Sequence, residues 1–200
     1  QSPWTATVTV EDNVHPVAIC QDVTVQLDSE GSRSAMAVAV NNGSSDACGI
    51  QSLSLSQSAF DCSHVGGNSV TLTVTDNNGN QSTCTATVTV EDNVDPAAQC
   101  QNATVQLDAA GNGSTTAAAA DNGSSDACGI ASLSLDNASF TCANVGQENT
   151  VELTVTDVNG NSSTCNATVT VEDNVDPVAI CQDVTVQLDS EGSGSTTAAA

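Results

Sequence analysis

The chain has 200 residues and sets 24 Asp plus Glu against a single Lys or Arg, a formal net charge of -23. A surface of one sign repels phosphate and anionic lipid, which excludes nucleic-acid binding and electrostatic membrane docking as primary roles. The one basic residue is Arg33, so Schiff-base and P-loop chemistry are excluded too, while three aromatics (Trp4, Phe60, Phe140) and nine cysteines point to a small core helped by disulfides.

In chain order, residues 1–12 alternate Thr and Val (TATVTV) and read as the last strand of a preceding repeat. They begin without an initiator Met or an apolar leader, so the chain reads as a segment of an exported protein. Residues 13–92 form a first complete unit. Its runs VTVQLD, SLSLS, VTLTVTD and TATVTV alternate small polar and aliphatic residues, and turn clusters DSEGS, NNGSSD and DNNGN separate them. Residues 93–173 repeat that unit: TVEDNVHP around Glu11 returns as TVEDNVDP around Glu91 and Glu172, and NGSSDACGI at 42–50 recurs letter for letter at 122–130. Residues 174–200 read as the first strands of a further unit, since PVAICQDVTVQLDSEGS at 16–32 returns at 177–193.

About seven short strands in some 80 residues, with no 3.6 period, predict an all-β fold: tandem immunoglobulin-like β-sandwich repeats in an extended array. Phe60 and Phe140 hold the same place in their units and are expected in the core. Trp4 stands where Cys84 and Cys165 stand in the later copies. That departure supports an alternative, a self-assembling subunit whose terminal strands complete a neighbour's sandwich. The small faces around Ala117–Ala120 are its candidate lateral contacts.

Each unit has four cysteines, which allow three pairings. The preferred scheme joins Cys20 with Cys84 and Cys48 with Cys62, then Cys100 with Cys165 and Cys128 with Cys142, leaving Cys181 alone. The loop-entropy model gives about 4 kcal/mol to the long spans and about 3 kcal/mol to the short ones. A rival scheme crosses the linkers, Cys84 to Cys100 and Cys165 to Cys181, but orphans Cys20. Zinc is disfavoured, because there is no CxxC and neither His recurs between copies.

The acids recur at fixed positions. In tandem sandwiches the linker abuts loops of the next unit, which brings Glu91, Asp92 and Asp95 towards Asp121, Asp126, Asp157, Asn159 and Asn161. With no cationic side chain to compensate them, a hard divalent cation with oxygen ligands is the available partner, and Ca²⁺ suits flexible loops better than Mg²⁺. The preceding junction has Glu11, Asp12, Asp46, Asp76 and Asn78, weakened because His15 replaces the linker Asp and Asn41 replaces Asp121. A further junction contributes Glu172, Asp173 and Asp176.

These motifs carry a family likeness. The D-N-V-D-P at 92–96, Cys100, D-A-C-G-I at 126–130, F-x-C at 140–142 and T-D-x-N-G-N-x-S-T-C at 156–165 resemble the hyalin-repeat (HYR) type of immunoglobulin-like module. The likeness is to the Cys-rich version found in very large bacterial surface proteins, including gliding adhesins exported by the type IX system. The linker is also similar to the calcium-binding linker of cadherins. The resemblance implies an extracellular stalk or filament with adhesive duty and no chemistry. No catalytic constellation is present, so no enzyme is expected. The expected function is a calcium-stiffened, disulfide-stapled spacer at a cell surface, its partners neighbouring repeats and identical chains in a filament. The alternative is a module gripping a surface glycan or protein.

Overall fold

The structure is a computed structural model and describes residues 3–197. Its backbone follows the repeat. The first copy runs β1 (Val23–Gln26), β2 (Ser32–Ser34), a one-turn helix α1 (Ala37–Val40), β3 (Ile50–Leu55), β4 (Ala59–Asp61), β5 (Gly66–Asp76) and β6 (Gln81–Glu91). The second runs β7 (Ala103–Gln106), β8 (Asn112–Ser114), α2 (Ala117–Ala120), β9 (Ile130–Leu135), β10 (Ser139–Thr141), β11 (Asn149–Asp157) and β12 (Ser162–Glu172).

In each copy a four-stranded sheet, ordered β1-β6-β5-β3 or β7-β12-β11-β9, faces a two-stranded sheet, β2-β4 or β8-β10. The first strand runs parallel to the last, with Val23 opposite Val88 and Ala103 opposite Val169, and the other pairings are antiparallel. Period-two alternation decides which side chains meet between the sheets. Val70, Leu72 and Val74 of β5 and Ala86, Val88 and Val90 of β6 point inward onto Phe60, and Phe140 is buried in the second copy.

Of the expected lateral contact at Ala117–Ala120, Ala118 and Ala119 are exposed. These four residues form α2, whose Ala120 is fully buried, and the Thr116 hydroxyl caps it by accepting from the Ala119 N–H. Residues 3–12 and 174–197 carry strand alternation but enter no ladder, and Trp4, Val8, Val10, Val178 and Ile180 are exposed. A lone strand has nothing to take its backbone hydrogen bonds or cover its apolar side.

The cysteine scheme is corrected. Cys20 is bonded to Cys84 and Cys100 to Cys165, each tying the start of a sandwich to its last strand. Cys62 is not bonded to Cys48, nor Cys128 to Cys142: Cys62 bonds Cys128 of the next repeat, and Cys48 and Cys142 are free and exposed. Strand direction is the reason. Cys62 lies beside the start of β5, where Gly66 pairs with Val90 at the pole from which the chain leaves. Cys48 lies beside Asn77, past the other end of β5, with the Asn77 amide donating to its carbonyl. The eleven residues of β5 span about 35 Å between those poles. Cysteines at opposite poles of one sandwich meet only across a junction.

Candidate cation site at the junction between repeats

The junction is made by the chain leaving β6, the 125–128 loop and the DVNGN turn after β11. Phase along the strands decides which acid goes where. Asp157 continues the inward series Val151, Leu153 and Val155, and Asp76 continues Val70, Leu72 and Val74, so both carboxylates are buried. Each is held by donors from its own turn. Asp157 Oδ1 accepts from the backbone N–H groups of Asn159, Gly160 and Asn161, and its Oδ2 accepts from the Asn161 amide at 2.8 Å. Asp76 is held alike by Asn78, Asn80 and the Asn80 amide. Burial pushes both carboxyls upward as the largest single effect. The hydrogen bonds from Asn161 or Asn80 and the turn N–H groups together outweigh it and hold both below the usual carboxylate value.

The same two asparagines clamp the linker. Asn161 Nδ2 donates to the Asp92 carbonyl at 3.1 Å, and Asn80 Nδ2 to the carbonyls of Asp12 and Val14. His15, which replaces the linker Asp, donates from Nδ1 to the Gln81 carbonyl at 2.8 Å. Asp157 and Asp76 therefore build their own turns, each with a single hydrogen bond on its Oδ2.

Asp92 differs. It continues the inward series Ala86, Val88 and Val90 and is only 7% exposed. Its Oδ1 accepts from the Val94 N–H at 3.1 Å, but its Oδ2 is buried without any hydrogen-bond partner. Asn159 Oδ1, on the turn that clamps the linker, is the other buried side-chain oxygen without a donor among the described residues. Asp126 comes to Asp92: one carboxylate oxygen of each, together with Cys128 Sγ, lie within 4.8 Å of one another. The sulfur is bonded to Cys62 and is no thiolate ligand. Asp126 Oδ1 also accepts from the Cys128 N–H at 2.7 Å, which shapes the loop.

The remaining expected ligands are placed elsewhere. Glu91, next to Asp92 and of opposite phase, accepts from the Gln26 amide at 2.6 Å, and Asn93 joins the same pair. Glu172 repeats that arrangement with Gln106 and Asn174. Asp121 ends α2 and closes its own turn by accepting from Ser124 and Gly123. The Ser124 hydroxyl and N–H hold its carboxyl below the usual value. Asp95 is exposed and lines a cleft with Asp126 and Ala127. In the preceding junction Asp12 and Asp46 gather with Cys48 as Asp92 and Asp126 gather with Cys128. There Cys48 is a free thiol, pushed upward by its hydrogen bond to Asp12 and then by the charges of Asp12, Asp46 and Asp76. Glu11 is exposed, and Asn78 contributes its N–H to Asp76. Asp173 holds the Val175 N–H, and Asp176 lines a cleft beside Cys142. At the described junction the hard oxygens left without a donor are Asp92 Oδ2 and Asn159 Oδ1, and the carboxylate gathered with Asp92 is Asp126.

One structural pair was not foreseen. His64 and Asn144 cap the short turns that follow β4 and β10: each side chain lies against the backbone N–H three residues back, of Asp61 and Thr141. The available signal was the spacing from a capping Asp or Thr to a polar side chain three residues on.

No family model matches this chain, and no curated protein matches it. Among solved structures it is similar to human protocadherin-24 EC1-2, at 13% identity and a TM-score of 0.41, over 81% of this chain and 100% of that one. It is similar to mouse clustered PcdhgC3 EC1-3, at 13% and 0.38, over 80% and 69%. It is also similar to protocadherin gamma B7 extracellular cadherin domains 1-4, at 13% and 0.35, over 80% of this chain but only 51% of that one. Likeness at this level identifies neither a ligand nor a partner.

Proposed function

We propose that the chain is a structural segment of an extracellular protein, a disulfide-stapled rod of β-sandwiches stiffened by Ca²⁺ where repeats meet. The observation that carries the calcium reading is Asp92 Oδ2. It is a buried carboxylate oxygen without a donor, set against a second carboxylate, Asp126. A buried unpaired oxygen is costly, and two such carboxylates repel; a cation between them relieves both. Asp92, Asp126 and Asn159 would hold it, and water would complete the six to eight oxygens that Ca²⁺ takes. Three disulfides support an oxidising, extracellular setting. The HYR-like motifs support a surface stalk whose first partner is the neighbouring repeat.

The test is thermal unfolding in EDTA and in millimolar Ca²⁺. Ligand that binds only the folded state raises the melting temperature by several degrees at a hundredfold excess over Kd. The expected result is a rise in the parent chain that Asp92→Asn and Asp126→Asn each abolish. A parent chain melting at the same temperature in both solutions contradicts the reading.

A further inference from the structure

Five Asn-Gly bonds occur in the chain, at Asn42, Asn78, Asn112, Asn122 and Asn159. At such a bond the glycine nitrogen, with no side chain on its own residue to crowd it, can attack the asparagine side-chain carbon once it has lost its proton. That attack needs a free N–H, and the structure sorts the five by what holds it. Gly160 donates to Asp157 Oδ1 at 2.6 Å, Gly79 to the Asp76 carbonyl at 3.3 Å and Gly123 to Asp121 Oδ2 at 3.3 Å, while Gly113 lies in the β8-β10 ladder opposite Phe140. Gly43 lies outside every ladder, and its N–H has no hydrogen-bond partner among the described residues.

Asn42 and Asn122 form a matched pair, because NGSSDACGI is the same in both copies and the loop has the same shape. Gly43 and Gly123 have φ of +85° and +86°. The Asn42 N–H donates to the Ile19 carbonyl at 2.8 Å, and that of Asn122 to the Gln99 carbonyl at 2.9 Å. The N–H groups of Ser44 and Ser124 donate to Oδ1 of Asn41 and of Asp121, both at 3.0 Å. Both asparagines are exposed. The preceding residue is the difference. Asp121 has a second carboxylate oxygen for the Gly123 N–H, and its charge opposes loss of that proton. Asn41, with its Oδ1 on Ser44, has besides only an uncharged amide Nδ2, which donates and does not accept.

We propose that Asn42 is a site of spontaneous modification, converting to aspartate and isoaspartate through a succinimide with Gly43, ahead of the other four. A base takes the Gly43 N–H proton, the nitrogen bonds to Asn42 Cγ, and the side-chain amide nitrogen takes up a proton and leaves as ammonia. Water then opens the ring, giving aspartate by attack at Cγ and isoaspartate by attack at the backbone carbonyl. A water is consumed and an ammonia released, with nothing oxidised or reduced. Either product adds a negative charge to the loop. Isoaspartate also lengthens the main chain by a methylene between the bridge of Cys20 to Asn41 and that of Val17 to Ser45. The loop that carries Asp46 therefore ages before its twin that carries Asp126. The proposal does not rest on the rod or calcium reading.

The experiment incubates the whole chain in mildly alkaline buffer, its disulfides intact and its thiols alkylated beforehand, with a urea-unfolded sample alongside. Timed samples are digested with pepsin in acid and read by liquid chromatography and mass spectrometry; the flanks Val40-Asn41 and Ala120-Asp121 tell the two loops apart. The expected result is an amide-to-acid mass gain, in resolved aspartate and isoaspartate peptides, that appears at Asn42 roughly fivefold faster than at Asn122, the factor one hydrogen bond carries. In urea, where no turn holds Gly123, the two should react at similar rates. Asn41→Asp should slow Asn42 to the pace of Asn122, and Asp121→Asn should raise Asn122 to that of Asn42. Circular dichroism verifies that each variant is folded, and each tests the point alone, so one that fails to fold leaves the other to decide. Equal rates at Asn42 and Asn122 in the folded chain, a faster reaction at any of the other four, a gap as large in urea as in buffer, or an order that the replacements leave unmoved overturns the proposal.

Discussion

At the residue scale, three inward-phase aspartates close a run of buried aliphatic side chains, and their donors separate them. Asp76 and Asp157 receive hydrogen bonds on both oxygens from their own turns, whereas Asp92 leaves one oxygen unpaired. The phase was legible in VTLTVTD, because Asp76 is the next alternate position after Val74. The donors were not, since they come from a turn whose shape the alternation does not describe. Glu91 shows the same limit from the other side: it neighbours Asp92 in sequence, but opposite phase sends it to Gln26. A pH dependence follows from the turn carboxylates. Asp76, Asp121 and Asp157 titrate below the ordinary carboxylate value in the folded chain. The unfolded chain therefore takes up protons first on acidification, and the stability these groups contribute is present above about pH 4 and lost as pH falls below it. Denaturant unfolding measured between pH 6 and pH 2, on the order of five points, should show that acid limb. Asp157→Ala should flatten it and lower stability at neutral pH by about 2 kcal/mol. An unchanged acid limb contradicts the assignment.

At the element scale, the long strands β5, β6, β11 and β12 follow from alternation, and Phe60 and Phe140 from their recurrence at one place in each unit. The one-turn helices α1 and α2 do not, because four residues carry no 3.6 period; Thr116 caps α2 and Met36 leaves α1 without a side-chain cap, and each turn buries its last residue, Ala120 or Val40. With one aromatic per copy, each Phe carries an unusual share of a small core. Phe60→Ala and Phe140→Ala should each cost about 3–5 kcal/mol. Thermal melting is the measurement, with a fall of roughly 10 °C or more expected in each variant. A fall of a degree or two places the ring outside the packed core.

At the scale of the whole molecule, the poles of the sandwich carry the organisation. One pole of the first repeat presents Cys62 against Gly31, and the other pole of the next repeat presents the SDAC loop whose Cys128 it bonds. Counting cysteines within one unit hides this arrangement, because Cys48 and Cys62 are near in sequence and a strand length apart in space. The repeat itself holds the signal: a residue at one pole meets its partner only in the next copy. The bond across the junction constrains the same few residues that bring Asp92 to Asp126, so staple and candidate cation site belong to one joint. Disulfide mapping of the monomeric, non-reduced chain tests that joint most directly. Proteolysis under acidic conditions followed by mass spectrometry should yield a peptide pair linking Cys62 to Cys128, with Cys48 and Cys142 labelled by a thiol reagent before unfolding. A Cys48–Cys62 or Cys128–Cys142 pair in its place would mean that each repeat closes on itself and that the joint as described does not exist.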